Sequence, residues 1–442
     1  MADATLFCNG TGLTTITMSQ IWNDIPDVGD ILFSNAGTGD GFILITEVSN
    51  PGVTGVVTGY AYGDWTGTTT VGIMGAGTMS PDPIGFDSAD EPNHDGSSWA
   101  NACQGVYGLQ HVFDSVVVDA EDTDFFVGNI FTLTAKIDLD TSGGSTNNNK
   151  WLKIIGCDAS GDELDNGLYN IWDGDGGSYH VAEIKNVSNI KFKHIHFYNV
   201  DTAGANFGVN AANTGYLYGY VFDHCKTSSV YIGLYFYSSY NTGLYVKGGH
   251  YAASTRQAIY TSQVSVIEDA IVENDSATYA AIFFRFRGST VRNCIIKNPS
   301  GYGIRGAIYT ALLNIHDNVF YNVGGGIYLN DSDAFLVEYN NIYFLVDNTA
   351  DFAIERVNGS ILYSDYSACN RAAGAYDGMT EGSNVVDITD TEADTFVDAS
   401  GDDFRLIPTS VCLNTGKPDM LDGYTDIGLW SRKSFLRYNH NG

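Results

Sequence analysis

Seven segments between Phe192 and Phe344 open on an apolar residue at a near-constant pitch: Phe192, Val221, Val246, Ile267, Val291, Ile315 and Val337. The steps between these openers run from 21 to 29 residues. The fullest copy reads Val291-Arg292-Asn293-Cys294-Ile295-Ile296-Lys297-Asn298, and an asparagine follows the opener by seven residues at Asn199, Asn274, Asn298 and Asn322. A second series, Val209, Leu234, Ile259, Ile282, Ile304, Ile327 and Ile354, is interleaved with the first and steps by 22 to 27 residues. One unit of this length cannot bury its own apolar face, so successive units must stack into a continuous core. The segments are filled with β-branched and aromatic residues and show no helical spacing, so the stacked unit is a coil of short strands. The predicted fold is all-β: a right-handed parallel β-helix, or solenoid, with a small N-terminal β-domain.

Composition agrees with many tight turns between short strands, with 51 Gly, 8 Pro and 28 Tyr in 442 residues. Acidic residues outnumber basic ones 52 to 21, a formal charge of −31. A surface of that sign repels nucleic acid and anionic lipid, so neither is an expected partner. The acidity serves solubility. Calcium is the one cofactor it leaves open, through oxygen ligands, yet no loop shows a calcium-ligand spacing and no metal site is assigned. The seven cysteines are scattered without a C-x-x-C pair, which argues against a disulfide framework or a zinc site. Cys294 is read as a small inward-facing hydrophobe. His194, His196 and His224 have no metal-ligand spacing and are read as strand or turn residues. The start of the chain shows no basic region followed by an apolar run, so no secretory signal is expected, and no stretch suits membrane insertion.

Along the chain, residues 1–80 read as a small β-domain suited to attachment, with strands near 28–33 and 41–48. Residues 81–95 read as a linker and 96–380 as the solenoid, carrying a polar insertion at 141–149. An amphipathic helix, capped by Ser97 or Ser98 and burying Trp99, Cys103, Val106 and Leu109, is expected to cover the open first turn. Residues 381–442 read as an irregular β or cap segment.

Three groups of residues carry a family resemblance. They are Asp95-Gly96-Ser97-Ser98-Trp99-Ala100-Asn101-Ala102, the V-x-N-C-x-I-x-N-like rungs, and an ending. The ending is Asp403-Phe404-Arg405-Leu406-Ile407-Pro408, Cys412-Leu413-Asn414-Thr415-Gly416 and Asp426-Ile427-Gly428. Together they resemble right-handed parallel β-helix proteins of the pectin-lyase-like superfamily, including phage tailspikes and other virion surface β-helix proteins. The resemblance spans roughly residues 95–430 and speaks to fold far more than to function, because that superfamily includes lyases, hydrolases, adhesins and tailspikes. Its tailspike branch implies a homotrimer with receptor or glycan contacts along the coil.

In a parallel coil an outward residue repeated each turn forms a ladder with rungs about 4.8 Å apart. The positions after the second series give Asn210, Tyr235, Tyr260, Phe283, Arg305, Tyr328 and Glu355. Of these, Tyr235, Tyr260, Phe283, Arg305 and Tyr328 are the expected ligand contacts, with an extended glycan as the ligand. The same stripe would also stabilise the sheet by cross-strand contact, or pack between subunits. The first series gives Lys193, Phe222, Lys247, Glu268, Arg292, His316 and Glu338 as a mixed-charge ladder, read as a solvated face or a catalytic one. Candidate groups for acid–base or electrostatic work are Glu268, Glu273, Arg285 and Arg305, and Asp269 and Arg287 are considered with them. Arg256, Arg285, Arg287, Arg292 and Arg305 would have to share one groove for an acidic substrate to be held.

The expected function is a bacteriophage virion surface protein: a tailspike, fibre or capsid-attached appendage, structural and glycan- or receptor-binding. It would be a homo-oligomer, trimer first, docked to other virion proteins through residues 1–80. The alternatives are a polysaccharide lyase or glycoside hydrolase acting on acidic glycans, and a secreted bacterial adhesin, either of which would be extracellular.

Overall fold

The computed structural model describes residues 4–17, 27–36, 41–49, 56–65, 70–75, 78–79, 84–85, 97–115, 122–140, 150–185, 187–211, 218–237, 242–285, 288–307, 312–347, 349, 351–371, 375–378, 382–389, 391–419 and 423–424. Outside them lie the linker 81–95 apart from Ile84–Gly85, the insertion 141–149, Arg287 and the segment 426–428. Through most of the chain each strand pairs in parallel with the strand three places further on, so three strands close one turn. The result is a parallel β-helix with three ladders.

The first ladder starts at Ala4–Asn9, passes through Thr123–Gly128, Leu152–Cys157 and Ile190–Lys193, and continues to Asp365. The second runs from Ile130–Thr132 through Asn170–Gly177 and Ile195–Val200 to Val386–Asp387. The third runs from Ile137–Asp140 through Ala182–Lys185 and Phe207–Asn210 to Tyr376–Asp377. Side chains alternate in and out along each strand, and the inward columns make one core that runs the length of the coil.

In the third ladder Val209, Leu234, Ile259, Ile282, Ile304, Ile327 and Ile354 stand opposite one another in that order, and all are fully buried. The first ladder departs from the predicted register at two rungs. Phe192 pairs with Phe222, not Val221, because Tyr220 and Phe222 both point inward and Val221 lies between them. Ile315 pairs with Glu338, not Val337. The inward column is therefore Phe125, Ile154, Phe192, Phe222, Val246, Ile267, Val291, Ile315 and then a carboxylate. The outward column becomes Lys193, Asp223, Lys247, Glu268, Arg292, His316 and Tyr339, which corrects Phe222 and Glu338 in the predicted charge ladder.

Between the first and second ladders the chain turns through one left-handed residue per rung: His194, His224, Gly248, Asp269, Asn293, Asp317, Asn340 and Tyr366, with φ between 52° and 64° at the first seven and 59° at Tyr366. Asn, Asp, His and Gly tolerate this region better than other residues. His194 and His224 are thus turn residues, and Asp269 is turned away from the strand that carries Glu268. Inside the same corner, Asn318 and Asn341 are fully buried. Each Oδ1 accepts the backbone N–H of the preceding rung's corner, from Cys294 at 2.9 Å and from Asn318 at 3.0 Å.

The four repeat asparagines divide into two roles. Asn199 and Asn322 are left-handed, at φ 61° and 53°. Asn298 is fully buried and bonds the backbone carbonyls of Tyr279 and Tyr302 at 2.9 and 2.8 Å, while Asn274 bonds Tyr279 at 3.1 Å.

The helix at the first turn spans Gly105–Ser115, later than the sequence pattern placed it. Ser98 caps only a turn, accepting from the Asn101 N–H at 3.2 Å, and Cys103–Gln104 is extended because it pairs with Cys8–Asn9. The helix still covers the open end. Leu109 and Phe113 are buried, Phe113 meets Phe125 edge-on at 5.4 Å, and the Gln110 amide exchanges two hydrogen bonds with the backbone of Asp138 on the third ladder's first strand. The strand Ala4–Asn9 belongs to the coil, with Cys8 fully buried, whereas the antiparallel sheet around Ile16, Leu32, Ile43, Ile45 and Val57 begins at Thr14.

The segment after the last rung lies along the flank of the coil. Phe396, Ala399, Phe404 and Cys412 pack on the outward column Ile295, Val319, Ile342 and Ala368. That explains the apolar pairs Ile295-Ile296, Val319-Phe320 and Ile342-Tyr343: one member faces the core and the other faces this cover.

Candidate functional site

The outward column of the third ladder is Asp138, Glu183, Asn210, Tyr235, Tyr260, Phe283, Arg305, Tyr328, Glu355 and Asp377. Its strands place these side chains on one line because the inward aliphatic column fixes the register, and a slip of one residue would expose that column. Tyr235, Tyr260, Phe283, Arg305 and Tyr328 are all half-buried.

Rings one rung apart stack on each other. Ring centroids lie 4.9 Å apart for Tyr235 and Tyr260 and 5.0 Å apart for Tyr260 and Phe283, the latter pair only 18° from parallel. The Arg305 guanidinium then takes the place of a ring, 5.7 Å from the Phe283 centroid and 5.3 Å from that of Tyr328. At the upstream end His180 stacks on Phe207 at 4.6 Å and Phe207 meets Tyr235 at 4.5 Å. Ring faces are thus largely taken up within the column. A ligand would meet rims, hydroxyls and guanidinium N–H groups, which donate hydrogen bonds.

Two further arginines join this face. Arg285 lies over the Tyr237 ring at 4.7 Å and donates to the Tyr260 hydroxyl at 3.3 Å. Arg256 lies between the rings of Tyr231, at 5.2 Å, and Tyr279, at 4.5 Å. Burial pushes the Tyr235 hydroxyl up to about 12. Burial, with Lys136 and Lys185 nearby, pulls His180 down to about 4. The face therefore keeps neutral rings across the ordinary pH range. Its upstream end is closed by an ion-pair group in which Lys136 bonds Glu183, and Lys185 lies 2.9 Å from Glu183 and 3.5 Å from Asp138. At its downstream end Tyr302 stacks on Tyr328 at 4.8 Å and bonds Glu355.

The candidate acid–base groups do not come together. Glu268 lies on the first ladder, bonded to Tyr245 and, at 2.7 Å, to Arg292 Nε. Burial opposes its ionisation, but those hydrogen bonds outweigh burial and hold its carboxyl below the ordinary value. Glu273 lies on the second ladder, 2.9 Å from His250 Nε2, and that contact holds its carboxyl low against burial. Arg285 and Arg305 lie on the third. Arg292 is engaged by Glu268 on another face, so among the described residues Arg256, Arg285 and Arg305 share the aromatic face.

Sequence reasoning grouped Arg256 with Arg285 and Arg305 but missed three features: the seat of Arg256 between Tyr231 and Tyr279, Tyr237 and Tyr279 as flanks of the face, and the burial of Glu338. Glu338 is fully buried and accepts from Asn341 Nδ2 at 2.9 Å, Tyr343 Oη at 3.0 Å, Ser364 Oγ at 2.8 Å and Ser367 Oγ. The signal for it was present: Asn341 and Ser367 are polar residues at the corner position that Cys294 fills as a hydrophobe two rungs before Asn341. Cys294 is itself fully buried, as its position implied.

Among the described residues no three His, Cys, Asp or Glu side chains converge as a metal site, and no helix is long and apolar enough to cross a membrane. No family model matches the chain, and no curated protein matches it in sequence.

Proposed function

We propose that this chain is a structural and recognition solenoid of a virus surface, a tailspike, fibre or capsid-attached appendage, that holds an extended surface glycan along its third ladder. The in-register column Tyr235, Tyr260, Phe283, Arg305 and Tyr328 carries the reading. It offers a straight row of ring rims about 4.8 Å apart per rung, with donors at Tyr235, Tyr260, Arg305 and Tyr328, which suits a polymer rather than a compact ligand. Holding is favoured over cutting because Glu268 and Glu273 occupy different ladders and are already bonded to Arg292 and His250. Acid–base hydrolysis needs two carboxyl groups facing one bond. The particle is a homo-oligomer in this proposal, trimer first, docked by its N-terminal region.

The test is binding of the full chain to a panel of purified bacterial surface polysaccharides. Tyr260→Phe and Tyr328→Phe remove only hydroxyls and keep the stacked rings. Weakened binding in these variants, with none in Lys247→Ala on the first ladder, supports the proposal. Equal weakening in Lys247→Ala, or no binding to any member, overturns it. Antibody labelling of particles tests the location: label on the virion surface is expected, and label confined to secreted protein would favour an adhesin.

A further inference from the structure

We infer that the glycan held on the third ladder is anionic, carrying a carboxylate at a repeat of two rungs, with Arg256 and Arg305 as the charged contacts. This rests on the glycan reading above and narrows its ligand class. In a chain with 52 acidic residues and 21 basic ones, a cation without a carboxylate partner is set apart. Most described ion pairs follow the expected pattern: Arg292 holds Glu268 and Arg405 holds Asp403. Arg256 and Arg305 enter no ion pair among the described residues, and the Nε of each is buried with no hydrogen-bond partner.

Both are held in the same way. Each guanidinium lies between two rings, one on the rung before and one on the rung after: Tyr231 and Tyr279 for Arg256, Phe283 and Tyr328 for Arg305. The flanking rings hold each guanidinium in place while no carboxylate among the described residues occupies its N–H groups, which can match a carboxylate in a forked pair. The position is therefore prepared before a ligand arrives.

Their spacing adds a second constraint. Arg256 stands four residues before Tyr260, and Arg305 is in register with Tyr260 two rungs on, so they are about 10 Å apart along the coil axis and also offset along the strand direction. That is close to the repeat of an extended disaccharide. A glycan with one uronate or similar acid per disaccharide, running obliquely across the rungs, would place successive carboxylates at the two guanidiniums, with Phe283 on the rung between them.

The experiment is calorimetric titration of the full chain with a set of oligouronates of different linkages, each paired with its carboxyl-reduced neutral form. The inference predicts that an acidic oligomer binds at least tenfold more tightly than its neutral form. The gap should shrink in Arg256→Gln and Arg305→Gln, with Arg→Lys intermediate, and the acidic form should weaken as salt is raised. Unchanged melting temperatures in these variants separate lost contact from lost fold; where Gln lowers the melting temperature, the Lys variants and the salt series decide. Equal binding of both forms, lost in Tyr260→Ala, would overturn the charge inference and leave the glycan reading intact. Preference for the acid that survives both Gln variants would overturn the assignment to these arginines. Binding of neither form of any oligomer would bring down the glycan reading and this inference together.

Discussion

Glu338 stands directly beside Ile315 on adjacent rungs, at the end of an inward column that is apolar from Phe125 onward. A carboxyl group there is tolerated because four donors from its own and the following rungs converge on it. Three of those donors, Asn341, Ser364 and Ser367, sit where their rungs depart from the apolar pattern. The carboxyl and its donors therefore form one compensated polar unit inside an apolar column.

That unit should be visible in the pH dependence of stability. Burial raises the Glu338 carboxyl above its ordinary value despite the hydrogen bonds. A raised folded-state value means that the group's contribution is fully present below the unfolded carboxyl value, about 4.3, and is lost as pH rises through the folded one. Glu338→Gln has no such loss. Its melting temperature should match the parent's in acid and exceed it progressively as pH rises. Glu338→Ala leaves buried donors without an acceptor and should cost about 3 kcal/mol or more at any pH. Parallel pH profiles for parent and Gln variant would contradict this account.

The two roles of the repeat asparagines separate under substitution by glycine. Asn322→Gly keeps a left-handed residue where φ is 53° and the side chain is exposed, and should change stability by less than about 0.5 kcal/mol. Asn298→Gly removes the buried amide that bonds Tyr279 and Tyr302 and should cost about 2–3 kcal/mol. Chemical denaturation of the two variants reads the difference directly, and equal costs would mean that the asparagines share one role.

The flanking segment is predicted to loosen before the coil does. Phe404 is buried against Phe396, 5.1 Å away, over the outward column Ile295, Val319 and Ile342. Phe404→Ala should cost about 3–5 kcal/mol of local packing. Limited proteolysis should then cut near residues 390–415 while the β-sheet circular dichroism stays. Loss of the whole sheet signal would show that the cover and the coil fold as one unit.

The third ladder was legible residue by residue because its inward positions from Val209 to Ile354 are all aliphatic and its outward ones aromatic or polar. The first ladder was legible except where two candidates adjoin. Val221 beside Phe222 offers two apolar choices, and Val337 beside Glu338 hides the true register behind the expected cost of burying a carboxylate. That cost is offset by groups 26 and 29 residues further along, at Ser364 and Ser367, which no local pattern reveals. The strand Ala4–Asn9 was read with the N-terminal unit because six residues carry no period. The helix was placed too early because Trp99 and Cys103 happen to fall at helical spacing, while Cys103 is held extended by its pairing with Cys8. For the site, the aromatic column and the grouping of Arg256 with Arg285 and Arg305 were visible in sequence, but the seat of Arg256 was not, since only the fold carries it from a loop to the rings of Tyr231 and Tyr279.

The most direct test of the central claim is hydroxyl-radical footprinting of the full chain with and without the polysaccharide that the binding panel selects. Protection of Tyr235, Tyr260, Phe283 and Tyr328, with Tyr339 and Tyr363 on the first ladder unchanged, is the predicted result. Protection centred on the first ladder around Glu268 and Arg292, or none on the third, would contradict the account.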